Sequence, residues 1–321
     1  MHETRPTIAT ARSQGYTAAL LSALFLALTG ILIRQLTVEY ELPVLVLAMW
    51  RNIFTSVCMI GSLLLISPRL LNPGLTNVAF LFGYSLVLTF FNLCWTFSIW
   101  LNGATVATVL IYTSTFFTVF LDRLFHRERI SSYALIAATM ALSGCALVAG
   151  LGMGDETAVS GIGITVAMFS GLAFGFYSIS GREAARRGLN SWTTITWVFG
   201  FSAGIMLVVN QLLLPLSVSG SGNPLFLADR LGGWLLLLLL AAGPTLLGYG
   251  FYTAALVHLP SSVVNLIATL EPVFTAVIAY WYLQERLSVS QLVGSAIILA
   301  AVILVRSGPR VFARFSRPPK G

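Results

Sequence analysis

The fold class predicted by the sequence is an all-α integral membrane protein of ten transmembrane helices, built as two inverted five-helix repeats. Three observations lead there: a charge-poor composition, ten apolar runs of membrane-spanning length, and an internal repeat of half-chain period. Of the 321 residues, 57% are hydrophobic and only 9% are charged, and the mean hydropathy is +0.88. A soluble chain of this size needs far more charge to cover its surface. Length alone would suggest two soluble domains. The apolar runs override that prior, because crossing the ~30 Å hydrocarbon layer takes roughly 20 apolar residues.

In chain order the apolar windows fall at 16–34, 43–66, 77–100, 104–124, 132–152, 160–180, 192–214, 232–256, 261–283 and 289–306, joined by short links carrying Pro, Gly or charge. The first run follows Arg5 and Arg12; it is too long for a signal-peptide core and lacks a small-residue cleavage site, so it is expected to be a retained helix. Leu63-Leu64-Leu65 and Leu235–Leu240 are expected to be lipid or core faces. Cys58, Cys94 and Cys145 lie inside apolar runs and are read as small packing residues.

Charge distribution sets the direction. With the N-terminus inside, fourteen of the eighteen Lys and Arg residues fall in inner loops and tails, three (Arg34, Arg230 and Arg286) fall outside, and Arg51 lies within a span. This bias matches the positive-inside rule, and an odd number of spans would spoil it. Both termini are therefore expected to be cytoplasmic, with Asp155, Glu156 and Asp229 outside and Arg127 and Arg187 inside. The net charge of +7 reads as orientation in the cell inner membrane, not as nucleic-acid binding. Residues 307–321 form a basic tail expected to be disordered near anionic headgroups.

Residues 94–148 align without a gap on 251–305, an offset of 157, with 11 of 55 pairs identical. The matches include Thr96/Thr253, Phe117/Phe274, Glu128/Glu285, Arg129/Arg286 and Ser131/Ser288. Apolar composition alone does not readily produce a paired Glu-Arg at one helix end followed by a matched serine. Ser22, Leu24 and Arg34 match Ser170, Leu172 and Arg182 in the same loose way. The repeats are taken as 1–152 and 153–306. Five spans per repeat make the halves enter the membrane in opposite directions, an architecture suited to transporters that close alternately on either side of a central site.

The ends of spans four and nine, Arg127-Glu128-Arg129-Ile130 and Gln284-Glu285-Arg286-Leu287, resemble the helix endings of EamA-type repeats. Leu270-Glu271-Pro272-Val273-Phe274 resembles the core of that repeat, and Arg51 resembles the arginine common in its second helix. The chain thus resembles the drug/metabolite transporter superfamily over nearly its whole length. The resemblance implies a secondary transporter, an exporter or exchanger of a small polar metabolite such as an amino acid. Position 115 is Thr where the second half has Pro272, so the two halves are expected to kink unequally.

Two ionisable residues stand out deep in the spans, Arg51 and Glu271. Each costs roughly 2.5–3.5 kcal/mol at a helix centre and requires a partner or a wet cavity. Counted along the helix they lie ~12 Å and ~15 Å from opposite faces, so both fall near mid-depth. Two readings stand together: a cavity for a charged or zwitterionic substrate, and an ion pair pinning helix two to helix nine. Pro272 deprives the Ala268 carbonyl of its helical donor. Asn265 and Thr269 form a polar stripe with Pro272, and Thr108, Tyr112 and Thr115 form a comparable one on span four. Trp95 and Tyr252 are expected to wall the cavity. Gly243, Pro244, Gly248, Gly250, Gly171 and Gly175 permit close packing or a hinge. Trp100, Trp192 and Trp234 are expected to be interface anchors.

No cofactor or metal is expected: His126 and His258 join no ligand constellation, and no Walker signature or nucleophile-base set is present. The competing classes, a membrane-embedded transferase or hydrolase and a non-transporting scaffold, would need an interfacial His, Asp or Cys cluster or an added soluble domain.

Overall fold

The computed structural model describes residues 8–127, 131–149, 160–213, 222–282 and 288–315. Helices occupy the apolar runs, and no strand occurs among the described residues. In order they are α1 (Ile8–Val38), α2 (Val44–Ile66), α3 (Leu75–Ile111), α4 (Ser114–His126), α5 (Ser132–Val148), α6 (Gly161–Arg186), α7 (Ser191–Leu213), α8 (Leu231–Leu240), α9 (Leu246–His258), α10 (Ser261–Ala268), α11 (Glu271–Tyr282) and α12 (Val289–Phe315). A 3-10 turn (Pro68–Leu71) links α2 to α3, and a π-helical segment (Ala241–Thr245) containing Pro244 joins α8 to α9. Eight helical stretches among the described residues are long and apolar enough to cross a bilayer; Ser132–Val148 and Val289–Val305 are shorter apolar helices. The chain is a multi-pass helical membrane protein.

Helical backbone runs without interruption from Leu75 to Ile111, through the expected junction of spans three and four. As a straight rod it would measure ~55 Å. It is not straight. The Phe91 ring lies 5.2 Å from that of Phe174, and the Ile111 carbonyl, twenty residues on, lies against Gly171, one turn from Phe174. Twenty residues of straight helix cover ~30 Å, so the segment is bent between Phe91 and Ile111.

Helices of the first half pack mainly on helices of the second: α1 on α9 and α11, α2 on α7, α3 on α6, α4 on α6 and α10, α5 on α12. Several of these pairs are antiparallel, since residue numbers rise on one helix as they fall on the other. Asn52 meets Ser202 and Met206, whereas Ser56 meets Thr196. Tyr112 meets Glu271, Ser114 meets Asn265, and Asp122 meets Ser262. On α5 and α12 the approach is backbone to backbone: a Cβ on Gly144 would stand 2.8 Å from the Gly294 carbonyl. In lipid, whose tails are as apolar as Leu, such close packing and interhelical hydrogen bonds hold helices together. Leu64, Leu65, Leu235 and Leu239 point outward, as a lipid face requires.

One expectation about the ends changes. Helical backbone continues past residue 306 to Phe315, so the first part of the expected disordered tail extends α12. The expected positions of Glu128, Glu285, Asp155 and Glu156 lie outside the described residues.

Candidate functional site

The site begins with two interruptions in the backbone. The helix ending at Ile111 restarts at Ser114, and the helix ending at Ala268 restarts at Glu271. Both boundaries differ by 157, the repeat offset. The breaks therefore stand at equivalent positions, although Thr115 occupies the place of Pro272 in the first half. In the second half, Pro272 lacks the N–H that a continuous helix would direct to Ala268. In the first half, hydroxyls intervene: Thr113 Oγ1 donates to the Leu110 carbonyl (2.7 Å) and Thr115 Oγ1 to the Tyr112 carbonyl (2.8 Å). Such back-bonding bends helices. Thr269 Oγ1 does the same to Leu266 (2.6 Å). Around both breaks the backbone N–H groups reach back three residues, as in Thr113 to Leu110 and Leu270 to Ile267.

The breaks face each other. Tyr112 donates its hydroxyl to Glu271 Oε2 (2.9 Å), and Ser114 Oγ donates to Asn265 Oδ1 (2.8 Å). Asn265 Nδ2 donates to Ser178 Oγ (3.1 Å), which shares a 2.6 Å bond with the Tyr252 hydroxyl. α6 approaches closely because residue 171 is glycine; a Cβ there would overlap the Thr113 hydroxyl and stand 3.2 Å from the Leu110 carbonyl.

The structure thus gathers Glu271, Tyr112, Asn265 and Tyr252 through hydrogen bonds, with Thr115, Thr269 and Pro272 forming the breaks themselves. The hydroxyls of Thr115 and Thr269 are turned to their own backbones. Trp95 is half-buried against the aromatic core, and Thr108 is half-buried on the last turns of α3. Gly243 and Pro244 belong to the π segment, apart from the crossing. Gly248 packs on Leu26 and Gly250 on Trp192, so Trp192 reaches the core instead of acting only as an interface anchor.

Arg51 does not join this group. Its Nη2 donates to Asn92 Oδ1 (3.0 Å), and no ion pair with Glu271 forms among the described residues. The expected direct pair is corrected on a packing ground. α2 lies on α7, α3 and the π segment, whereas α11 lies on α1, α12 and α5. Tyr249 of α9 lies within electrostatic reach of both charges.

Asp122 was outside the expected set, although it falls inside the expected fourth span. It lies within α4 and is 1% exposed. Its carboxylate receives Arg182 Nη1 (3.2 Å), His126 Nδ1 (3.1 Å) and the Ser262 backbone N–H (2.8 Å), tying α4 to α6 and to the N-terminus of α10. An acid four residues before a histidine, inside an apolar run, was the available signal. A cavity of ≈ 90 Å³ adjoins it, lined by Thr115, Asp122, Ser131, Tyr133 and Ser262 among others. Among the described residues no group of three His, Cys, Asp or Glu is placed to hold a metal.

A bundle of apolar helices with paired backbone breaks and buried polar groups is the framework of a membrane transporter. The comparisons agree. The profile of the EamA-like transporter family matches residues 13–150 and 161–307, and the chain belongs to that family. An uncharacterized transporter of Archaeoglobus fulgidus is 25% identical over 200 residues, which span 62% of this chain and 66% of that relative. The match thus covers just under two thirds of the relative's length. A protein crystal structure superposes with a TM-score of 0.75 over 95% of this chain and 99% of that one, at 15% identity, a likeness of fold alone.

Proposed function

We propose that the chain is a secondary transporter of a small polar metabolite, such as an amino acid, working by alternating access between two inverted five-helix halves. The observation that carries this reading is the meeting of two backbone breaks at repeat-equivalent positions, hydrogen-bonded through Tyr112–Glu271 and Ser114–Asn265. Irregular backbone at membrane depth is tolerated where it lines a cavity or is buried in protein, and broken helices are how many transporters build a midplane site. Antiparallel contact between equivalent helices, α2 with α7 and α5 with α12, supports the inversion. On this reading the halves are 1–152 and 153–306, with ten spans in the cell inner membrane and both termini cytoplasmic. Glu271, Tyr112, Asn265 and Tyr252 line the substrate path, and export or exchange follows the gradient of substrate or a coupled ion.

The test is counterflow of a radiolabelled panel of amino acids and related metabolites in proteoliposomes. Wild-type protein is expected to accelerate exchange of at least one compound, and Glu271→Gln to slow it more than about tenfold, the equivalent of about 1.4 kcal/mol in the barrier. Exchange at the wild-type rate in Glu271→Gln would remove Glu271 from the path. An inert wild-type protein across the panel would count against transport itself.

A further inference from the structure

The transport reading leaves Arg51 and Asn92 without a role; they bond to each other, while Glu271 bonds to Tyr112. Arg51 is 4% exposed and Asn92 1% exposed. The Asn92 carboxamide spends its oxygen on Arg51 Nη2. What remains is donors only: Arg51 Nε and Asn92 Nδ2 are both buried without a partner. Among the described residues no carboxylate lies within 4.0 Å of the guanidinium.

This arrangement is costly on its own. Arginine cannot discard its proton, so burial cannot be relieved by neutralisation. A buried charge without a counter-charge and buried donors without acceptors both oppose folding. Cationic residues inside membrane proteins face a partner or a cavity, and an unpaired one is a functional site by default. One turn along α2 from Arg51, Thr55 donates to the Ala241 carbonyl of the π segment (3.4 Å), and the Thr245 hydroxyl of that segment is buried without a partner. π segments of this kind recur at functional sites.

The missing component is an acceptor that carries negative charge. One guanidinium balances one negative charge, and a doubly charged phosphate would leave a buried excess. A carboxylate offers two acceptor oxygens and a single charge. It belongs with Arg51 and not with Glu271, whose acidic side chain offers it no counter-charge. We infer that Arg51 and Asn92 form a subsite for the carboxylate group of an organic ligand. The inference rests on the transport reading only for the route by which the ligand enters, since the subsite is enclosed in this conformation.

The test uses the full-length protein purified in detergent, with thermal unfolding followed in acetate, propanoate or benzoate and in the matching amides at equal concentration and ionic strength. Carboxylates, but not amides, are expected to raise the wild-type midpoint by about 2 °C or more, as ligands specific to the native state do. Asn92→Asp is the decisive variant, because it supplies an internal counter-charge. It should unfold at a higher midpoint than wild type without ligand and lose the carboxylate response. Arg51→Gln should lose the response while unfolding no lower than wild type, and Glu271→Gln should keep it. No carboxylate-specific shift in wild-type protein overturns the inference, as does a shift that survives in Asn92→Asp. Neither outcome depends on counterflow, so the subsite and the transport reading fail separately.

Discussion

The break between α3 and α4 and the break between α10 and α11 occupy the same place in their repeats but are made differently. Pro272 makes one by removing a backbone donor, and Thr113 and Thr115 make the other by drawing the Leu110 and Tyr112 carbonyls to side-chain hydroxyls. What the halves share is therefore backbone geometry, not the residues that produce it. Their chemistry has diverged further: Ser114 stands where the second half has Glu271, and position 279 is alanine where the first half has Asp122. A symmetric scaffold carries an asymmetric set of charges, and that asymmetry can be tested from either side.

The largest effect is expected at Asp122. Its carboxylate accepts from Arg182 Nη1 and the Ser262 N–H and also holds His126. Asp122→Ala should cost about 3–5 kcal/mol, the usual penalty for removing one member of a buried charged network, read as a fall in the detergent unfolding midpoint. Asp122→Asn keeps an acceptor for the Ser262 N–H and should lose less. If Asp122→Ala unfolds at the wild-type midpoint, α4 is not held to α10 through this residue and the contrast with Ala279 carries no energy.

Asn265 comes next, since it links the two breaks most directly. Asn265→Ala leaves the Ser114 hydroxyl without its acceptor and removes a donor to Ser178. A loss of about 1–3 kcal/mol is expected. Adding Ser114→Ala to Asn265→Ala should cost less than Ser114→Ala costs alone, because the shared bond is already gone. Simple additivity of the two would place the junction elsewhere.

These residues differ in how far the sequence exposed them. Polar side chains inside apolar runs are conspicuous, because lipid offers them no partner, and Glu271, Asn265 and Tyr112 were identifiable on that ground alone. The spans were legible for the same reason. The partner of Arg51 was not. Distance along a helix places two residues at similar depth, but it does not say which neighbour each helix faces, and packing on α3 turned Arg51 to Asn92. The first break escaped notice because proline disrupts a helix in any setting, whereas a threonine hydroxyl bends one only in the rotamer that reaches its own backbone. Asp122 was passed over because it lies close to the expected end of span four, beside Arg123 and Arg127, where charged residues are ordinary.

The smallest expected effect separates the two ways of breaking a helix. Pro272 is the second residue of α11, a position where its fixed φ is compatible with the first turn and its missing N–H has no obligatory partner. Across the junction, Glu271 is held by Tyr112 and Asn265 by Ser114, so these bonds should keep α10 and α11 apart even without the proline. Pro272→Ala should then cost no more than about 0.4–1 kcal/mol, mainly from the freer unfolded chain. The first break has no such covalent device. Thr113→Val with Thr115→Val keeps side-chain shape but removes both hydroxyl bonds, at about 1 kcal/mol each. The double valine variant should therefore unfold at a lower midpoint than Pro272→Ala. The reverse order would mean that proline sets the geometry of the pair and that the first break follows the second across Tyr112–Glu271. In that case Tyr112→Phe should destabilise the double valine variant by more than it destabilises wild type, because the first break would then take its geometry from the Tyr112–Glu271 bond.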